Sequence, residues 1–142
     1  MNNIKLSSRK SRIKAFIIDE IFISIIFLII FYNDIYLLNS DTKTIIFQIN
    51  SKFIEIFLLK FIYQVFFIWY FQATIGKMIF KIRVITVIND DIIRASLFIS
   101  IIRSINRIIS EIFFYIGFLI LFFDTNKQTF HDKISKTIVV DV

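Results

Sequence analysis

The chain has 142 residues, of which 57% are hydrophobic and 20% are charged, with a formal net charge of +6 and no cysteine. This length suits a single domain of residues 1–142. The apolar surface exceeds what one small core can bury, so we expect the remaining apolar side chains to contact a lipid bilayer. The composition excludes disulfides and thiol chemistry. We expect no enzyme activity, because no nucleophile–base constellation is visible.

The basic residues fall in three blocks that flank long apolar stretches. One block precedes the first stretch (5–14), one lies between the second and third (77–107), and one follows the third (127–136). Because basic segments stay on the cytoplasmic side, we expect a multi-pass protein of the cell (inner) membrane with both termini in the cytoplasm. A basic chain could also bind nucleic acid, but these flanking positions favour the membrane, and we expect no nucleic-acid partner.

The first two apolar stretches cover residues 15–32 and 53–71. Each is close to the roughly 20 residues that a helix needs to cross a bilayer. The segment between them carries no basic cluster and is expected outside. No small-residue cleavage site follows the first stretch, so we expect it to be retained and not removed as a signal peptide.

Two short segments are predicted as strands. Residues 81–87 are rich in β-branched side chains and end at the turn signal Asn89-Asp90-Asp91, and residues 137–142 form a second run of this kind. If both segments lie in the cytoplasm, they can pair and satisfy each other's backbone groups. This pairing favours a C-terminus that faces inward.

The third apolar stretch, 96–123, is 28 residues long and would span about 42 Å as a straight helix. It either crosses once or forms two arms, near 96–107 and 112–123, that return the basic tail to the cytoplasm, and we favour the return. The polar residues of the first arm share one helix face, which lies either in the headgroups or against a polar cavity. The predicted fold is an all-α membrane bundle of three to four hydrophobic helices with a small cytoplasmic β-pairing of the loop strand and the C-terminal strand.

Asp19 lies within the first apolar stretch, where an ionised carboxylate is costly unless it is paired or faces water. Its expected partners are Arg103 or Arg107. Such a carboxylate forms either a structural ion pair that fixes helix packing, or a group that binds and releases a proton or a small cation.

His131 and Asp132 follow the last apolar stretch. They are expected either to cap or dock the tail, onto Arg83 or the turn at residues 76–77, or to form a gate that titrates near neutral pH. A single histidine with no cysteine nearby is a poor metal site. We expect neither a metal nor a cofactor.

Several short motifs occur in order along the chain: Arg12 and Asp19; Thr74-Ile75-Gly76-Lys77 followed by Ile82-Arg83-Val84-Ile85; Arg103; and His131-Asp132-Lys133 followed by Thr137-Ile138-Val139-Val140. This ordered set, which covers most of the chain, resembles the RDD family of membrane proteins, named for one arginine and two aspartates. Ile75 stands where family members often carry proline. The resemblance implies a membrane protein whose shared role is loosely defined, with transport suggested and sodium/proton exchange proposed for some members.

Two functions are therefore expected. The first is a small transporter component for an ion or a small solute, with proton/cation exchange as its sharpest form. The second is a membrane-anchored accessory or scaffold protein without transport activity. The candidate functional polar residues are Arg12, Asp19, Arg103 and Asp132. The expected partners are the bilayer, a small cation, proton or small solute, and, since three or four helices make a thin bundle, a second copy of the chain in a homo-oligomer.

Overall fold

A computed structural model describes residues 5–32, 42–88, 91–113, 120, 122–125 and 127–142. Within these ranges the chain is mostly helical and carries one small sheet. The helices are α1 (Arg9–Ile30), α2 (Thr42–Ser51), α3 (Phe53–Phe71), α4 (Ile75–Ile79), α5 (Leu97–Ile112) and α6 (Phe130–Ile134). The strands are β1 (Ile82–Ile88), β2 (Asp91–Ile93) and β3 (Thr137–Asp141).

Helix α1 begins at Ser8, whose hydroxyl accepts a hydrogen bond from the backbone N–H of Ser11 at 3.0 Å. A serine at this position satisfies one of the free N–H groups of the first helical turn. The buried positions of α1 recur at steps of three or four residues and therefore form one face. That face holds two charged residues, Arg12 and Asp19, while the opposite face exposes isoleucine and leucine.

Helix α3 is the one described helix that is both long and apolar enough to cross a membrane, judged by length and composition. Only 17% of that stretch is buried inside the molecule. A core helix of a soluble protein would be mostly buried, so this exposure favours lipid contact. The predicted bundle of three to four membrane helices stays a prediction beyond this helix.

The sheet has the strand order β2-β1-β3, and both pairings are antiparallel. The predicted pairing of the loop strand with the C-terminal strand is confirmed: Arg83 lies opposite Val140 and Ile85 opposite Ile138. Leu6 forms an additional bridge to Val140, which the sequence did not reveal. The beginning, the middle and the end of the chain therefore meet at one sheet.

The predicted first arm of the third stretch is part of α5, which continues to Ile112, and the predicted second arm lies mostly outside the described residues. The polar face of α5 is buried, whereas its apolar face, including Phe98 and Ile105, is exposed. This distribution is the reverse of that in a soluble protein. Of the two predicted placements of the polar face, the structure has the one turned toward the interior.

The apolar core of the described residues is small and lies between α1, α3 and the sheet; it contains Ala15, Ile68, Ile82, Val84, Ala95 and Val139. Among the same residues, buried polar and charged side chains outnumber buried hydrophobic ones. Many large apolar side chains point outward instead. The fold thus encloses a polar interior, and that interior contains the candidate site.

Candidate functional site

A cavity of about 30 Å³ lies between α1, α4, α5 and α6. A water molecule needs about 10–15 Å³ of such space, and pockets for organic ligands measure about 300–1,000 Å³. The cavity therefore suits water, protons and small inorganic ions. Its titratable and charged lining residues are Arg12, Asp19, Lys77, Arg103, Arg107, Glu111, His131 and Asp132, so all four sequence candidates lie around this one space.

Asp132 is a buried carboxylate between two arginines. Its Oδ2 accepts from Arg12 Nη1 at 2.9 Å, and its Oδ1 forms an ion pair with Arg103 Nη1. Burial alone would raise the pKa of Asp132, but the charges of Arg103 and Arg12 outweigh burial and hold that pKa well below its usual range. Asp132 is consequently ionised at neutral pH and joins α6 to α1 and α5.

Asp132 also caps its own helix, since Oδ2 accepts from the backbone N–H of Thr129 at 3.0 Å. The predicted cap at this position is therefore confirmed. The predicted docking partners, Arg83 and the turn at 76–77, are wrong. Arg83 is exposed on β1 because alternate side chains of a strand point to opposite faces, and the N-terminal Arg12 takes its place.

Asp19 is fully buried and accepts three hydrogen bonds from neutral donors. Oδ1 accepts from the Tyr63 hydroxyl at 2.7 Å and from Gly76 N–H at 2.8 Å, and Oδ2 accepts from the Thr74 hydroxyl at 2.6 Å. The prediction that Arg103 or Arg107 bonds to Asp19 is wrong. The carboxylate instead fixes the turn between α3 and α4 against α1.

Gly76 makes this contact feasible because α4 approaches α1 very closely. A Cβ atom at this position would lie 2.1 Å from the backbone oxygen of Ala15 and 3.0 Å from Cγ of Asp19. No side chain fits in that space, so glycine is required for Asp19 to reach the backbone N–H. Small residues at helix contacts serve this purpose in membrane proteins.

A second charged network adjoins the cavity and joins α1, α3 and α5. Lys60 Nζ lies 2.7 Å from Glu20 and 2.9 Å from Glu111, and Arg107 lies 3.2 Å from Glu111 and 3.5 Å from Glu20. The sequence places all four residues in or beside apolar stretches, which is a sign of pairing. The Arg107–Glu111 pair lies within α5, at the four-residue spacing that places two side chains on one helix face. The other three pairs join helices that are distant along the chain, so spacing could not predict them.

Lys77 was not among the sequence candidates. Its side chain is only 8% exposed and lines the cavity, and its ammonium group makes no hydrogen bond or ion pair with any residue in the described ranges. Burial lowers the pKa of Lys77 to about 7, and the nearby charges of Arg103 and Arg107 act in the same direction. A lysine of this kind exchanges a proton near neutral pH.

His131 also borders the cavity. Its Nε2 is 2.9 Å from the Thr129 hydroxyl, and its buried Nδ1 has no hydrogen-bond partner among the described residues. Burial lowers the pKa of His131 well below its usual 6.5; the charge of Asp132 acts in the opposite direction, while Arg103 and Arg107 act in the same direction as burial. The ring is therefore neutral at pH 7, which places the titrating group of this site at Lys77 and not at the histidine.

Within the described parts of the chain, no group of three or more His, Cys, Asp or Glu residues could hold a metal ion. The carboxylates at the cavity have other contacts: Asp132 and Glu111 pair with basic side chains, and Asp19 accepts hydrogen bonds from neutral donors.

Comparison with known proteins adds a family. A family model described as RDD family matches residues 6–136, which is most of the chain and includes all four sequence candidates. No curated protein and no solved structure matches the chain. The family and the exposed apolar helix α3 together indicate a membrane protein. The predicted resemblance is thereby confirmed, and the chain belongs to the RDD family.

Proposed function

We propose that this chain is a multi-pass membrane protein, without enzyme activity, that moves a small ion through the cavity between α1, α4, α5 and α6. The observation that carries the proposal is Lys77, a buried basic side chain in a charged cavity that makes no hydrogen bond or ion pair with a carboxylate of the described residues. Ionisable groups inside membrane proteins commonly mark ion and proton pathways. The cavity volume of about 30 Å³ favours an inorganic ion over an organic solute.

The membrane placement is supported by the surface of the molecule. Helices α1, α3 and α5 turn apolar side chains outward, while Arg12 and Asp19 of α1 and Arg103 and Arg107 of α5 are buried. The sheet brings together Leu6, β1 and β3, which come from segments rich in lysine and arginine. By the positive-inside rule this sheet lies in the cytoplasm, so both termini are cytoplasmic and the cavity opens near the inner surface.

The roles of the residues follow from their contacts. Asp19 and Asp132 are positioning residues, because their oxygens already accept bonds that hold α4 and α6 in place. Lys77 is the group that can gain and lose a charge without breaking an ion pair. We therefore take the proton, in preference to a metal cation, as the exchanged cation.

The proposal is tested with purified protein in sealed liposomes that contain a pH-sensitive dye. Gradients of protons, sodium, potassium and chloride are imposed in turn on the wild type, on Lys77→Met and on Lys10→Met, a control at an exposed lysine of α1. We expect proton flux in the wild type and the control, and its loss in a Lys77→Met variant that remains folded. Absence of flux in the wild type under every gradient would overturn transport.

A membrane-anchored accessory protein without transport is the second candidate, and one observation favours it. Both acids of the family motif are engaged in contacts that join elements, Asp19 to α4 and Asp132 to α1 and α5. Such contacts are sufficient for a purely structural role. If the wild type carries no ion, while Asp19→Asn and Asp132→Asn lose only stability, this candidate replaces the first.

A further inference from the structure

We infer that the cavity binds one small inorganic anion of the halide class, together with a proton on Lys77. This inference deepens the proposed function, on which it rests, by naming the class of ion that passes with the proton. The binding site itself is defined by charge, space and hydrogen-bond donors that the structure places around one cavity.

The basic side chains around the cavity exceed the acidic side chains by one when Lys77 is protonated. Arg12 and Arg103 share Asp132, and Arg107 and Lys60 share Glu20 and Glu111. The charge of Asp19 offsets the remaining positive charge of these two clusters, but its oxygens accept hydrogen bonds from neutral groups and none from Lys77. The basic groups thus number one more than the acidic groups when Lys77 is protonated, and a buried uncompensated cation attracts an anion.

The available space selects the size of that anion. The cavity volume is about 30 Å³, and one water molecule needs about 10–15 Å³ of such space, so the cavity has room for one or two particles of that size. A halide ion is of similar size. Phosphate, a lipid headgroup or a carboxylic acid is too large for this space without movement of α4 or α6.

Two hydrogen-bond donors are available for the anion. One is the ammonium group of Lys77, whose three N–H groups have no acceptor in the described residues. The other is the ring of His131: when Nε2 accepts from the Thr129 hydroxyl, the proton lies on Nδ1, which is buried and lacks a partner. Bonds to an ionised acceptor are stronger than neutral ones, so an anion would satisfy both groups.

The proton and the anion stabilise each other at this site. A protonated Lys77 attracts the anion, and the bound anion favours the charged form of Lys77, so each strengthens the binding of the other by the same factor. Both come from solution, and together they carry no net charge. The other charged and titratable groups that face Lys77 from the neighbouring elements are Arg12, Asp19, Arg103, Arg107, Glu111, His131 and Asp132.

The test measures halide binding to the purified full chain in detergent, which does not depend on transport. Melting temperature is recorded in sodium chloride, sodium bromide and sodium gluconate at equal ionic strength, since gluconate is too large for the cavity. We expect chloride and bromide to raise the melting temperature at about pH 6. Well above pH 7 the apparent Kd for the halide should increase about tenfold per pH unit, because the protonated fraction of Lys77 falls.

Two controls and a second readout keep the result interpretable. Lys77→Met should abolish the halide effect, Lys10→Met should retain it, and Lys77→Gln replaces Lys77→Met if the latter does not fold. Bromide added to weakly buffered wild type near pH 7 should also cause proton uptake, which needs no variant.

Equal stability in halide and gluconate without proton uptake would overturn the site, and so would a halide effect that survives in the folded Lys77 variants. Halide binding with proton uptake but without flux in liposomes would support the site and overturn transport alone.

Discussion

Asp19 and Asp132 are both buried acids within the range that the family model matches, but the structure gives them different surroundings. Asp132 lies between two arginines, whereas Asp19 accepts bonds from two hydroxyls and one backbone N–H. Removing the charge of Asp132 leaves two buried cations without a partner. Asp19 forms no direct ion pair among the described residues, so removing its charge weakens hydrogen bonds without breaking a salt bridge, and the two positions should respond differently to the same substitution.

We predict that Asp132→Asn lowers the free energy of unfolding by about 3–5 kcal/mol, the usual effect of breaking a buried ion pair. Asp19→Asn should cost less, about 1–3 kcal/mol, since it weakens hydrogen bonds only. Asp141→Asn is the matched control, because Asp141 pairs with the exposed Lys5 and should change stability by less than about 1 kcal/mol. Chemical denaturation in detergent ranks the three, and an Asp132 variant as stable as the Asp141 variant would contradict the arrangement.

Lys77 should make stability depend on pH in a halide-free buffer. Its pKa is about 7 in the folded chain, against an ordinary value of 10.5. Between these values the unfolded chain holds a proton that the folded chain lacks, so stability rises as pH increases from 7 to 10.5, by at most about 1.4 kcal/mol per pH unit. The difference in stability between wild type and Lys77→Met, measured across this range, isolates the effect. A difference that does not change with pH would show that Lys77 titrates normally.

At the scale of elements, the strands and helix faces that depend on local sequence patterns could be predicted. β-Branched runs at 81–87 and 137–142 gave the paired strands, and the spacing of Arg103 and Arg107 gave the polar face of α5. Because residues 89–91 were interpreted as a turn, the short strand β2 was not predicted. No local sequence pattern indicated helix α2 or the bridge between Leu6 and Val140. Contacts between distant segments, including those of Asp19 and Lys77, depend on how the helices pack and could not be inferred from spacing.

The contact between α1 and α4 depends on a missing side chain. We predict that Gly76→Ala destabilises the fold by about 1–3 kcal/mol, because the new methyl group meets backbone atoms of Ala15 that cannot rotate away. The control Ile79→Ala changes an exposed residue of the same helix and should have little effect. Thermal unfolding of both variants tests the contact, and a Gly76 variant as stable as wild type would mean that α4 packs less closely than described.

At the scale of the whole molecule, the proposed topology has the sheet, the start of α1 and α6 on one side of the membrane. The chain has no native cysteine, so single cysteines can be introduced at exposed sites without interference. We predict that an impermeant thiol reagent, added to intact cells, labels Lys43→Cys and leaves Lys10→Cys and Lys133→Cys unlabelled. In inverted vesicles the pattern should reverse. Labelling of Lys10→Cys and Lys133→Cys from opposite sides would contradict the predicted return of the tail.

The most direct measurement of the central claim records proton and chloride movement together in the same liposomes. We predict that an inward chloride gradient drives equal numbers of protons and chloride ions inward, without a change in membrane potential, in wild type and Lys10→Met. Lys77→Met, reconstituted to the same density, should carry neither ion. Proton movement that is independent of chloride, or unchanged flux in the folded Lys77→Met variant, would contradict the account.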